Sequence, residues 1–94
     1  MPDITRLYKG PRHEFEVEMV FGGTEDISPK EAHEFEEFIF VARGSIILTR
    51  SDHPDPETFN APSFIHLPAG VVHVIDLQEE MTQLVIIHPD RMPA

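Results

Sequence analysis

Cysteine is absent from this 94-residue chain, and so is tryptophan. No disulfide can staple the fold, no thiolate can ligate zinc and no thiol can act as a nucleophile. Stacking on a large substrate would fall to seven phenylalanines and the single tyrosine, Tyr8. Positive charge is also scarce. Seven Lys+Arg stand against 17 Asp+Glu, a formal net charge of −10. Phosphates would be repelled, so neither nucleic acid nor an anionic membrane is expected as a partner. No apolar run approaches a bilayer span, and the N-terminus lacks a signal-peptide pattern, so the expected location is cytoplasmic. No spacing of Ser, His and Asp suggests a hydrolase, and no glycine-rich loop opens a helix to cradle a nucleotide phosphate.

What is present reads as strands and turns. Nine prolines are scattered along the chain and disfavour long helices. Residues 14–21 alternate acidic and apolar, a period of two that predicts a half-buried strand with Phe15, Val17, Met19 and Phe21 inward. Phe38-Ile39-Phe40-Val41 reads as a strand buried on both sides, Arg43-Gly44-Ser45 as a turn, and Ile46 to Thr49 as the second arm of a hairpin. A proline-rich loop from Ser51 to Pro62 carries a short strand at Thr58-Phe59, and strands follow at 63–67, 71–77 and 82–88. A helix over 29–38, with Ser28 as cap and Pro29 in the first turn, is the second reading of that segment. Short strands at regular spacing indicate one all-β domain over residues 1–94, a small antiparallel barrel or sandwich. Residues 1–10 form an N-terminal arm and 90–94 a loose tail. Such a short chain buries a modest core, so a homodimer is expected, with Phe38 and Phe40 packing on a second sheet or on a partner copy.

Glu31, His33 and Glu37 form a Glu-x-His-x3-Glu cluster, with Gly44 seven residues beyond the glutamate. On a strand, positions 31 and 33 point the same way and can meet one ion. Further along, Pro68-Ala69-Gly70 is followed by Val71-Val72-His73, a turn that presents a histidine at the start of a strand. Imidazole nitrogens together with carboxylate oxygens suit a divalent ion such as iron, manganese, zinc, nickel or copper. Glu37 precedes an apolar strand, where a carboxylate without a partner is costly to bury, so it needs a metal or a cation such as Arg43 or Arg50. Glu31 is either a ligand or a solvated member of an acidic run with Glu34 and Glu36. His13, His53 and His88 read as surface residues.

In these two motifs the sequence resembles the cupin superfamily, in particular its small single-domain, RmlC-like members. His33, Glu37 and Gly44 match the first cupin motif, with Glu31 in place of its first histidine. Pro68, Gly70 and His73 match the second, with Pro62 in place of its leading glycine. The resemblance implies an antiparallel jelly-roll, a double-stranded β-helix, that commonly dimerises. It also implies a metal at the barrel mouth on His33, Glu37 and His73, with Glu31 as fourth ligand or general base. Glu31 and Glu37 are then the catalytic candidates, and a small-molecule pocket is expected from Ile39, Val41, Ile75 and Leu77 with His66 at its rim. The activity implied is that of a metal-dependent oxidoreductase of dioxygenase type or an isomerase; a non-catalytic module binding a small ligand is the other reading.

Overall fold

The computed structural model describes residues 2–9 and 15–88. His13 and the 90–94 tail lie outside them. Eight strands follow in order: β1 (Asp3–Lys9), β2 (Glu16–Gly22), β3 (Glu37–Arg43), β4 (Ser45–Arg50), β5 (Glu57–Asn60), β6 (Ser63–Leu67), β7 (His73–Leu77) and β8 (Thr82–His88). The described residues contain no helix, and hence none long and apolar enough to cross a membrane. Every strand pairing is antiparallel. One sheet has the order β1-β2-β8-β3-β6 and the other β5-β4-β7. Their inner faces share one core. Ile39, Val41, Ile65, Leu67 and Leu84 come from the larger sheet, and Ile46, Leu48, Ile75 and Leu77 from the smaller.

Four local expectations change. Strands β3 and β4 are not a hairpin; they belong to different sheets, and Gly44 between them carries the chain across. Gly44 has φ +82°, and an added Cβ there would collide with Thr82, whose Cα would lie only 3.0 Å away. The segment Phe38–Val41 is buried on one side only: Ile39 and Val41 are fully buried, whereas Phe40 is 36% exposed. The N-terminal arm is a strand, β1, on the sheet edge. Finally, β2 has the opposite parity from that expected. Glu16 is buried and Val20 packs on the core, so the acidic positions face the barrel interior.

That reversal has a physical reason in the register. Val17 lies beside Ile87 and Ile87 beside Phe38; Met19 lies beside Val85 and Val85 beside Phe40, which pairs with Phe64. The apolar alternation of β2 thus continues across the outer face of the larger sheet, away from the smaller one. No helix forms over 29–38. Residues 27–31 run instead along the free edge of β7, through bridges from Ile27 to Asp76 and from Glu31 to His73. Ser28 reinforces this edge: its backbone N–H donates to the Ile75 carbonyl, and its hydroxyl oxygen accepts the Ile75 N–H, both at 2.8 Å.

The two left-handed glycines separate strain from crowding. Gly70 also has a positive φ, +83°, but a Cβ there would meet open space. Gly70→Ala should lower unfolding stability by about 1 kcal/mol from backbone strain alone. Gly44→Ala adds the collision with Thr82 and should cost about 2 kcal/mol or more. Urea unfolding of the two variants side by side checks the order.

Candidate metal site and cavity

The two motifs meet because the backbone ties them together. The Pro68–Gly70 turn closes with the Val71 N–H donating to the Pro68 carbonyl at 3.3 Å, and the Gly70 N–H donates to the His33 carbonyl at 2.7 Å. Glu31 and His73 exchange both backbone hydrogen bonds, at 3.1 and 2.8 Å. Glu37 and His73 are the first residues of β3 and β7, so each side chain starts from a rigid strand end.

Four side chains converge there. His33 Nε2 lies 3.3 Å from Glu31 Oε2 and 3.8 Å from Glu37 Oε1; His73 Nε2 lies 3.4 Å from Glu37 Oε2. Glu31, His33 and His73 each offer one ligand atom within 4.8 Å of the others, and Glu37 bridges the two imidazoles. The His73 Nδ1 atom faces the Val71 carbonyl at 3.2 Å, which sets Nδ1 as the donor and turns Nε2 into the cluster. Hydrogen bonding to the Glu37 carboxylate raises the His73 pKa above its ordinary value, against an opposing effect of burial. The His33 ring stacks on Phe35 at 5.3 Å, and its Nε2 is buried without a hydrogen-bond partner. An imidazole nitrogen in that state, facing two carboxylates, fits a cation. The donor set of two nitrogens and two carboxylates is suited to a divalent transition metal.

Neither Arg43 nor Arg50, the two cations expected for it, meets Glu37. Arg50 makes a two-point pair with Asp52, at 2.5 and 2.8 Å, and Arg43 is exposed. Glu31, 38% exposed at its side chain, turns toward His33 rather than standing with an outward acidic run.

Beside the cluster lies a cavity of about 370 Å³. Glu31, Glu37 and His73 form part of its wall, and Val20, Ile75, Leu77, Leu84 and Ile86 give it an aliphatic side, with Ile4 and Ile27 also lining it. Of the residues expected in a pocket, Ile75 and Leu77 line this one. Ile39 and Val41 are packed too deeply to reach it. His66 is corrected as well: it lies on the outer face, exposed, 2.8 Å from Glu36 and stacked on Phe38.

Sequence reading missed a second polar group. His88 is fully buried, not a surface residue. Its Nε2 lies 2.7 Å from Glu18 Oε1 and 3.7 Å from Glu16 Oε2. Arg6 in turn lies 3.1 Å from Glu16 Oε1. Glu18 lines the cavity. Three donors of this group also lie close enough to hold a cation, but the Arg6 guanidinium already supplies positive charge to it. The only sequence signal was the acidic parity of β2, which also describes a solvated face. His53, exposed and paired with Glu57, is a surface residue as expected.

No protein-family model and no curated protein matches the sequence. Solved structures do resemble it. An RmlC-like cupin with a double-stranded β-helix from Methanocaldococcus jannaschii superposes with a TM-score of 0.79 at 13% identity, over 99% of this chain and 83% of that one. A cupin superfamily protein from Desulfitobacterium hafniense gives 0.82 at 10% identity, over 95% and 77%. This chain has the cupin fold. A Ralstonia eutropha protein provisionally named a mannose-6-phosphate isomerase gives 0.82 at 19% identity, over 96% and 85%. In this barrel the four clustered side chains are the ones that the sequence resemblance singled out, Glu31 included.

The raised His73 pKa has a defined sign in the metal-free protein. The His73–Glu37 pair contributes stability that is fully present below 6.5, the ordinary histidine value, and is lost as pH rises through the higher folded value. Chelator-treated protein should therefore lose stability as pH is raised across that window. In Glu37→Gln this dependence should flatten. Thermal unfolding as a function of pH tests both.

Proposed function

We propose that this chain is a metal-dependent enzyme acting on a small organic molecule, with a divalent ion held by His33, His73, Glu37 and Glu31. The observation that carries the reading is the buried, unpartnered Nε2 of His33, which faces two carboxylates beside a second imidazole. A buried imidazole nitrogen without a hydrogen bond costs free energy, and a cation shared with Glu31 and Glu37 would give it a partner. The cavity runs directly from these donors, so a substrate oxygen can approach them while its body lies on Ile75, Leu84 and Ile86. Such an ion supplies Lewis-acid polarisation of a substrate oxygen or redox chemistry. The chain's own contribution is to exclude water with the aliphatic walls, orient the substrate, and offer the Glu31 and Glu37 carboxylates as proton acceptors. Oxidoreductase chemistry is the preferred class, and isomerisation the second.

The metal reading is tested by titrating iron, manganese, nickel, copper and zinc into chelator-treated protein. His33→Ala and His73→Ala should each lose metal while keeping the β-sheet circular dichroism signal. Glu31→Gln keeps the side-chain size but removes one negative charge, and should weaken affinity by roughly ten-fold or more. Glu31→His should restore it. Full metal content in both alanine variants overturns the assignment. A stoichiometric ion with no turnover across a panel of small organic substrates leaves the non-catalytic binding module.

The protein is further proposed to work as a cytoplasmic homodimer. Val17, Met19, Val85, Ile87, Phe38 and Phe40 form two adjacent apolar rows on the outer face of the larger sheet, and Phe64, 62% exposed, extends them. A second copy is the occupant favoured by this surface, because a sheet face this apolar is covered in stable proteins and the chain's own second sheet lies on the other side. Sedimentation should give a dimer at micromolar concentration. Phe40→Glu should shift it to monomer with little change in the strand spectrum.

A further inference from the structure

The cavity changes character with distance from the candidate donors. On the larger sheet, β3 starts at Glu37, and four residues further along stands Val41, whose register partners across the sheet are Leu84, Val20 and Ile4 in turn. At roughly 3.3 Å per strand residue, that row lies about 13 Å along the strand from Glu37. On the smaller sheet, β7 starts at His73 and goes on to Ile75 and Leu77, and Ile27 sits on its free edge, bridged to Asp76. Leu84, Val20, Ile4, Ile75, Leu77 and Ile27 all line the cavity, and most of the surface that its wall exposes is apolar. Among the described residues no aromatic side chain lines it, so a sugar ring finds no face to stack on. The polar side chains of the wall outside the donor cluster are tied to the protein itself. Glu18 bonds to His88 at 2.7 Å, Asp26 accepts the Gly23 N–H at 2.9 Å and Ser28 accepts the Ile75 N–H at 2.8 Å. Ile4 and Ile27, from separate segments, are 60% and 61% exposed where they line the opening. An apolar body lying between them would take both out of water.

From this we infer that the site takes an elongated small molecule with a polar head at the donors and an aliphatic body, rather than a sugar or another polyol, and that Ile4 and Ile27 set how much of that body is covered. At a water-like share of roughly 30 Å³ per heavy atom, the 370 Å³ cavity holds about a dozen such atoms. Pockets of this kind bind through their apolar walls and orient the ligand through a few polar groups, here those of Glu31, Glu37 and His73. The inference rests on the proposal that the cavity is the substrate site, and its test needs no bound metal.

Three neutral probes separate the two ideas: butan-1-ol, hexan-1-ol and glucose. Each is titrated into chelator-treated protein, and binding is read from the methyl resonances of Ile4, Ile27, Ile75 and Leu84. Each further buried methylene tightens binding roughly three- to four-fold, so hexan-1-ol should bind roughly ten-fold more tightly than butan-1-ol. Glucose should leave the methyls unmoved. Ile4→Ser and Ile27→Ser alter exposed side chains, which keeps the barrel core intact, and each should narrow the gap between the two alcohols. If no probe shifts the cavity methyls, the cavity is not a ligand site and the inference falls with that proposal. If glucose binds as tightly as hexan-1-ol, or the two alcohols bind equally, the cavity stands as a ligand site and the aliphatic preference is overturned. An unchanged gap in both serine variants removes Ile4 and Ile27 from the selection. The comparison of the three probes on the unaltered protein decides the preference even if a variant does not fold.

Discussion

The pair of backbone hydrogen bonds between Glu31 and His73 holds the candidate site together. Residues 27–31 have no sheet of their own; they lie on the edge of β7, and the Glu31–His73 bridge is where that edge ends. The bridge puts two potential ligands side by side. The Gly70 N–H, bonded to the His33 carbonyl, brings in a third, and Glu37 enters as the first residue of β3. His33 itself lies outside the strands, and a loop alone holds ligand geometry less tightly than a strand end, so the Gly70 tie to its carbonyl is what fixes it.

The candidate ligands of this barrel cluster at one end. Glu37 and His73 begin their strands, and from there inward the same strands carry Ile39 and Val41, and Ile75 and Leu77. Burial of aliphatic side chains stabilises the fold, while the buried Glu37 and His73 are tolerated because they meet each other and His33. Glu16 and His88 are buried as well, and they are tolerable because Arg6, Glu16, His88 and Glu18 form a connected chain of polar contacts.

The two faces of β2 show why a period of two establishes a strand but not its orientation. Alternation showed that Val17 and Met19 share a side and that Glu16 and Glu18 share the other. The usual assumption, apolar inward, then gives the wrong answer. The apolar side meets the outer sheet face with Val85 and Phe40, and the acidic side meets the cavity and His88. The same assumption made Phe38–Val41 a doubly buried strand and His88 a surface residue. The hairpin expected at Gly44 failed for a related reason. A tight turn between two apolar strands looks the same in sequence whether the strands pair within one sheet or cross to another.

The sequence by itself determined that the chain is all-β, where most strands lie, and which four side chains stand at the positions of the two motifs. Those properties depend on local periodicity, turn residues and fixed spacings, all of which are written along the chain. Only the tertiary structure decided that Glu31 turns toward His33, that Glu18 and His88 meet, that β1 is a strand, and that Ile75 and Leu77 line the cavity while Ile39 and Val41 do not. Each of these depends on which strands become neighbours. That is settled by the packing of two whole sheets, and residues 70 positions apart, such as Glu18 and His88, carry no mark of it in their local sequence.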